Sequence, residues 1–280
     1  MRLGRAALAV AASVVMACTL AASADAAARS STPATTGNDV SYPQCSETLP
    51  AGQGFGIVAV NNGLANAFNP CLATEIAWAQ TSSGTAKLPR TSLYVNTANP
   101  GNKVADWPAN NTDPVTGNHV ADPYGTCSGR DNQACAWQYG WNMADADARA
   151  SGVSSPGSYR WWLDVETINS WESSAQNNRA DLEGMVALFR HVGGSAGIYS
   201  TIKQWGPITG TVGSRSALYR LPDWIPGAKT LAKAKKNCGL TPLTGGGKVT
   251  VTQWRTSAVN TSAVNNDFSC RTLPAKKATR

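Results

Sequence analysis

Two rhythms of apolar and polar positions run along the chain. Short, nearly continuous apolar runs rich in β-branched residues sit between turn signals, which marks strands. They predict strands at 37–42 (GNDVSY, closed by Pro43), 54–60 (GFGIVAV), 92–96 (SLYVN), 160–165 (RWWLDV) and 196–200 (AGIYS). Further strands are predicted around Trp224 within 221–226, at 248–254 (KVTVTQW), and at a last short segment reaching Phe268. Between several of these lie stretches with apolar residues three and four apart. They predict helices at 72–80, introduced by Asn69-Pro70, at 134–150, and at 178–191, where Leu182, Met185, Val186 and Phe189 share one face. A basic helix is predicted over 228–236. Strands alternating with helices argue for a parallel sheet with crossover helices. No break in composition divides the chain. The expectation is therefore an α/β fold: one single-domain, modified TIM-type (β/α) barrel over 37–271, with the last strands lacking intervening helices. The rhythm lapses between 100 and 133, which is rich in Gly, Pro, Asn and Asp. That is too long for a plain connector, and it reads as a functional loop pinned by Cys127 and Cys135.

The chain ends read differently. Arg2 and Arg5 precede an apolar run from Ala6 to about Ala22, followed by small residues through Ala28. A basic start, a short apolar stretch and an Ala-x-Ala site predict a secretory signal peptide over 1–28, hence a secreted protein. The run falls short of the about 20 residues of a membrane span, and no later segment is apolar enough to be one. A lipoprotein carrying lipid on Cys18 is the alternative, disfavoured by Met16. Residues 29–36 read as a flexible leader and 272–280 as a basic, solvated tail. Without Cys18 the seven cysteines become six: Cys45, Cys71, Cys127, Cys135, Cys238 and Cys270. An even number in an exported chain reads as three disulfides. Several connectivities stay open, of which nearest-neighbour pairing is the simplest. No Cys-x-x-Cys spacing supports a metal, two histidines make a multi-histidine site unexpected, and nothing calls for a cofactor.

Composition changes the picture in two places. With 15% charged and 42% hydrophobic residues the chain is able to bury a core. The net charge of +7 includes Lys229, Lys233, Lys235 and Lys236 on one predicted helix. No nucleic-acid recognition motif accompanies them, so anionic wall polymers or a solvated face are the expected readings. His119 and His191 read as surface residues. Ten Trp stand against four Phe. An indole offers both a stacking face and an N–H donor, as sugar-binding clefts require. Trp78, Trp137 and Trp161 are assigned to packing. Trp171, Trp107, Tyr199, Trp224 and Trp254 are the candidates for stacking on substrate.

The chemistry points to carboxylates. In the strand Trp161-Trp162-Leu163-Asp164-Val165-Glu166, period two places Trp162, Asp164 and Glu166 on one face. Both acids then lie at the strand's C-terminal end, where barrel enzymes carry their catalytic groups. Two close acids cannot both ionise freely, and a carboxyl with a raised pKa is the general acid that glycosidic cleavage needs. Asp39 ends the first strand and Asp267 lies on the last. A closed barrel makes those strands neighbours, so the two acids are expected to converge on one rim facing Asp164 and Glu166.

These segments resemble the family 25 glycoside hydrolases, the Chalaropsis-type lysozymes or muramidases. The resemblance rests on Asp39-Val40-Ser41, Asp164-Val165-Glu166, Gly197-Ile198-Tyr199-Ser200, Trp224-Ile225, Gln253-Trp254 and Asp267-Phe268, in family order. The second and third strands depart from the family, ending in Val60-Asn61-Asn62-Gly63 and Tyr94-Val95-Asn96-Thr97. The chain looks like a divergent, actinobacterial-type branch. The expected protein is a secreted, monomeric hydrolase of β-1,4 aminosugar linkages in peptidoglycan, and the resemblance implies roles for its acids. It makes Glu166 the general acid/base, has Asp164 assist the positive sugar centre, and has Asp39 and Asp267 complete the acidic cleft. The alternatives are a non-catalytic glycan-binding protein on the same barrel and, further off, a chitinase.

Overall fold

The computed structural model describes residues 35–85, 87–255 and 263–270. The expected signal peptide, Cys18, all but the end of the expected leader, and the basic tail lie outside them. Eight strands close into a barrel in chain order. They are β1 (Thr36–Val40), β2 (Gly56–Ala59), β3 (Thr91–Asn96), β4 (Arg160–Asp164), β5 (Ser195–Tyr199), β6 (Pro222–Ala228), β7 (Lys248–Trp254) and β8 (Asn265–Ser269). Neighbours from β1 through β7 pair in parallel. The last strand runs antiparallel to both β7 and β1. Strand β1 begins one residue inside the expected leader, and the Thr35 carbonyl accepts from the Ser269 amide at 2.8 Å. The leader's end is therefore part of the sheet.

Five α-helices lie among the described residues: α1 (Leu72–Gln80), α2 (Gln133–Ala148), α3 (Ala175–His191), α4 (Ile202–Thr209) and α5 (Leu231–Asn237). The first coincides with its sequence expectation. Helix α3 starts three residues earlier than expected because Ser174 caps it, its hydroxyl accepting from the Asn177 amide. Helix α4 was not expected. It stands between β5 and β6, and α5 stands between β6 and β7. Helix-free connections among the described residues are thus confined to β7–β8 and to β1–β2, which holds only a 3-10 turn at Tyr42–Gln44. No helix among the described residues is long and apolar enough to cross a membrane.

The strands carry two cores because their side chains alternate. Outward, Val58, Leu93, Val95, Leu163 and Ile198 pack under the helices. Trp161 stacks on Phe189 of α3 at 4.3 Å. Inward, Phe55, Ile57, Trp162, Trp224 and Val251 fill the lumen together with Tyr94 and Tyr199. Gly197 leaves room for this filling: a Cβ there would lie 2.5 Å from the Trp162 ring. Helices α2 and α3 cross at Gly140 and Gly184, where a Cβ would lie 1.9 Å from the carbonyl oxygens of Asp181 and Trp137. The cysteines pair as nearest neighbours: Cys45–Cys71, Cys127–Cys135 and Cys238–Cys270. The second bridge pins the long 100–132 loop to the first turn of α2. The third joins the residue after α5 to the residue after β8.

Candidate active site

The parallel strands β1 to β7 all deliver their C-terminal ends to one mouth of the barrel. Asp39 ends its inward-facing series on β1, Asp164 closes β4, and Glu166 follows two residues on. Register pairs Asn96 with Asp164 and Asp164 with Tyr199, so β3, β4 and β5 end level. The Asp164–Glu166 backbone is held by side chains from three directions. Thr97 donates to the Asp164 carbonyl at 2.7 Å, Ser200 to Val165 at 2.6 Å, and the Trp171 indole to Glu166 at 2.8 Å. The half-buried Glu166 side chain accepts from Gln204 of α4 at 3.4 Å.

The other acids lie deeper. Asp164 is 8% exposed, Asp39 5% and Asp267 0%. Asp267 pairs with Gly37 and Gln253 while Asp39 pairs with Asn265, so Asp267 sits two strand positions below the mouth. The expectation of a shared rim is corrected: β8 runs downward and carries Asp267 to the floor. The two carboxyls still act on each other, Asp39 pushing Asp267 up and Asp267 drawing Asp39 down. Asp39 accepts from Gln253 and Asn265, each at 2.8 Å, and Asp267 accepts from the Trp224 indole at 2.8 Å.

Burial pushes all three aspartates above the usual carboxylate range. For Asp39 it outweighs the lowering by Asp267, Asn265, Gln253 and nearby Arg255. For Asp164 it is reinforced by the charges of Glu166 and Asp39, and for Asp267 by Asp39. The Asp164 carboxyl is therefore driven to hold its proton. One Asp164 oxygen and one Asp267 oxygen are buried with no hydrogen-bond donor. Tyr94 and Tyr199 line the same space, both phenols pushed up, first by burial and then by these acids. Tyr94 bonds Ser41, and Tyr199 donates to Gln253 at 3.3 Å.

The aromatic candidates separate. Tyr199 faces the lumen. Trp224 does too, but it is 2% exposed, with Tyr199 against it at 4.5 Å, so it supports Asp267 rather than meeting solvent. Trp171 spends its N–H on the Glu166 backbone. Trp107 stacks on Tyr139 of α2 at 5.3 Å and donates to the Arg130 carbonyl. Trp254 is misplaced by the sequence reading: it points outward and packs with Ala228 and Ala234 beneath α5. Trp137 and Trp161 are buried, as expected, and His119 and His191 are exposed. The mouth is dressed instead by exposed Tyr42, Leu64, Phe68, Ile168 and Ile202, on the segments that follow β1, β2, β4 and β5. A cleft of about 460 Å³ opens there, lined by Leu64, Thr97, Pro100, Val104, Tyr139 and Ile168.

Sequence reasoning missed Gln204, Asn265 and Tyr94. Tyr94 was within reach, because alternation from inward Ser92 places it in the lumen. Gln204 was hidden with its helix. The one cluster with metal-ligand spacing among the described residues, Cys45, Cys71 and Glu75, has its two sulfurs joined to each other.

Residues 154–224 match a protein-family model described as Lysozyme-like protein 1. Over that span the chain is similar to lysozyme-like proteins. The span runs from before β4 into β6 and holds Asp164, Glu166, Tyr199, Gln204 and Trp224. Lysozyme-like protein 5 of Caenorhabditis elegans is 31% identical over 110 residues, covering 39% of this chain and 47% of that protein. The chain thus spans about half the length of that relative. The crystal structure of the Clostridium perfringens spore cortex lytic enzyme SleM aligns with a TM-score of 0.49 and 13% identity, over 84% of this chain and 67% of that one.

Proposed function

We propose that the protein is a secreted glycoside hydrolase, related to family 25, that cleaves β-1,4 aminosugar linkages of peptidoglycan. The observation that carries this reading is the Asp164–Glu166 pair at the open end of β4, one acid half-buried at the mouth and the other buried with its carboxyl held up. Glu166 is the general acid/base at the glycosidic oxygen, because it is the least buried of the four acids. Asp164 works as a neutral hydrogen-bond donor beneath it, able to hold an acetamido oxygen of the substrate. This differs from a charged role for Asp164, since burial and two neighbouring acids oppose its ionisation. Asp267 closes the floor and Asp39 lines the wall above it, and together they keep the lumen acidic.

Three disulfides support an oxidising compartment and hence export. The similarity to lysozyme-like proteins supports a wall polysaccharide as substrate. In the test, the purified chain clears a peptidoglycan suspension and releases a new reducing-end aminosugar. Glu166→Gln lowers the rate by about 10²–10⁴-fold, the range for a lost general acid. Unchanged clearing by Glu166→Gln would remove Glu166 from this role. Binding to peptidoglycan without any new reducing end in the unaltered protein would show the barrel to be a glycan-binding module.

A further inference from the structure

Helix α3 turns a second face away from the barrel. Leu182, Met185 and Phe189 pack inward, while Arg179, Glu183, Ala187 and Arg190 form a stripe on its flank at helical spacing. The loops around Tyr124 and over 211–217 stand off from that stripe. They enclose a groove of about 1040 Å³ to which Arg215 adds a third guanidinium. None of the four lumen acids lines it.

The charges in this groove are not neutralised from within. Among the described residues the ion pair is Arg149–Asp145, so no described carboxylate stands within ion-pairing distance of Arg179, Arg190 or Arg215. The one acid in the groove, Glu183, is already engaged, accepting from Tyr124 at 2.7 Å and from the Ser216 hydroxyl. Arg179 gives one nitrogen to the carbonyls of Thr209 and Thr211, and Arg190 gives one to Ala217. These bonds fix the stems while other N–H donors stay open. Arg179 and Arg190 lie eleven residues apart on one helix, roughly 16 Å along its axis. A single small anion cannot span them. A linear polymer with regularly spaced charges can, and the guanidinium fork matches phosphate oxygens in pairs.

We infer that this groove is a second binding site, separate from the carboxylate lumen, for an extended polymer of phosphate groups. It holds the protein on a polyanionic surface while the lumen works elsewhere. The test is titration of the intact, oxidised protein with inorganic polyphosphate of defined length, at several salt concentrations. The unaltered chain is expected to bind with an affinity that falls linearly with salt on logarithmic axes. The exposed double variant Arg190→Gln/Arg215→Gln is expected to bind at least about tenfold more weakly and with a shallower salt slope. Lys233→Gln/Lys236→Gln, which removes two exposed charges on α5, is expected to leave binding unchanged. Equal weakening by both double variants, or none by the arginine pair, overturns the site. Equal or tighter binding of polygalacturonate at matched charge overturns the assignment to phosphate. Melting temperatures of the variants confirm that each is folded.

Discussion

Asp164 is a residue whose surroundings decide its chemistry. Its carboxyl is pushed up first by burial and then by Glu166 and Asp39, so the folded chain holds this proton where the unfolded chain has released it. The stabilisation is complete below the unfolded carboxylate value near pH 4 and is lost as pH rises through the raised value. Asp164→Asn is therefore expected to melt with the unaltered protein near pH 4 and above it at pH 8. A gap that does not widen with pH would show the carboxyl to be ionised in the fold. Trp171 makes the complementary point, since its indole N–H holds the Glu166 backbone carbonyl. Trp171→Phe is expected to lower kcat several-fold with little change in KM, and a rise in KM alone would return Trp171 to stacking. The sequence showed that an acid pair sat at a strand end, because Asp-x-Glu with period two has one geometric reading. It did not show that the Asp164 carboxyl is pushed up, because that is set by the lumen's depth and by Asp39, far away in the chain.

At the scale of elements, the crossing of α2 and α3 rests on two positions without a side chain. A methyl group at Gly184 would meet the Trp137 carbonyl, which is backbone and cannot rotate aside. Gly184→Ala is expected to destabilise by about 1–3 kcal/mol, the usual range for overpacking, as read by denaturant unfolding. A stability unchanged within error would mean the helices can separate freely. Strands were legible here because β-branched runs between turn signals have few other interpretations. Helix α4 was not, because Gly206-Pro207 falls inside it and breaks the expected pattern, and Thr201 at its start makes no side-chain cap. Trp254 was misread for a simpler reason. On β7 the inward series is Val251 and Gln253, so the residue after Gln253 has to face out.

At the scale of the whole molecule, burial of acids sets the response to pH. Glu75 and Asp223 are each raised to about 7, and Asp122 to about 6, in every case first by burial. The sign is the same as for Asp164, so the chain is expected to be more stable at pH 5 than at pH 8. A difference of about 5 °C in melting temperature is in the range that one to two kcal/mol moves a domain of this size. Glu75→Gln is expected to narrow that difference, and a melting temperature that climbs toward pH 8 would contradict this account. Selective loss of the Cys238–Cys270 bridge, which closes a loop of 32 residues, is expected to cost roughly 3–4 kcal/mol. The barrel was legible in the sequence because alternation of strands and helices leaves few topologies. The downward course of β8 was not, since an isolated short strand carries no sign of direction, and that course is what sends Asp267 to the floor.

The same downward course brings Thr35 and Ser269 to one hydrogen bond at the end of the barrel away from the mouth. The order in which the strands are written is then separable from the shape they make. A short linker from residue 270 back to residue 35, with new ends opened at the exposed turn 114–118, would give a rearranged gene for the same closed sheet. All three cysteine pairs would remain in place, and the acids would still meet across the lumen.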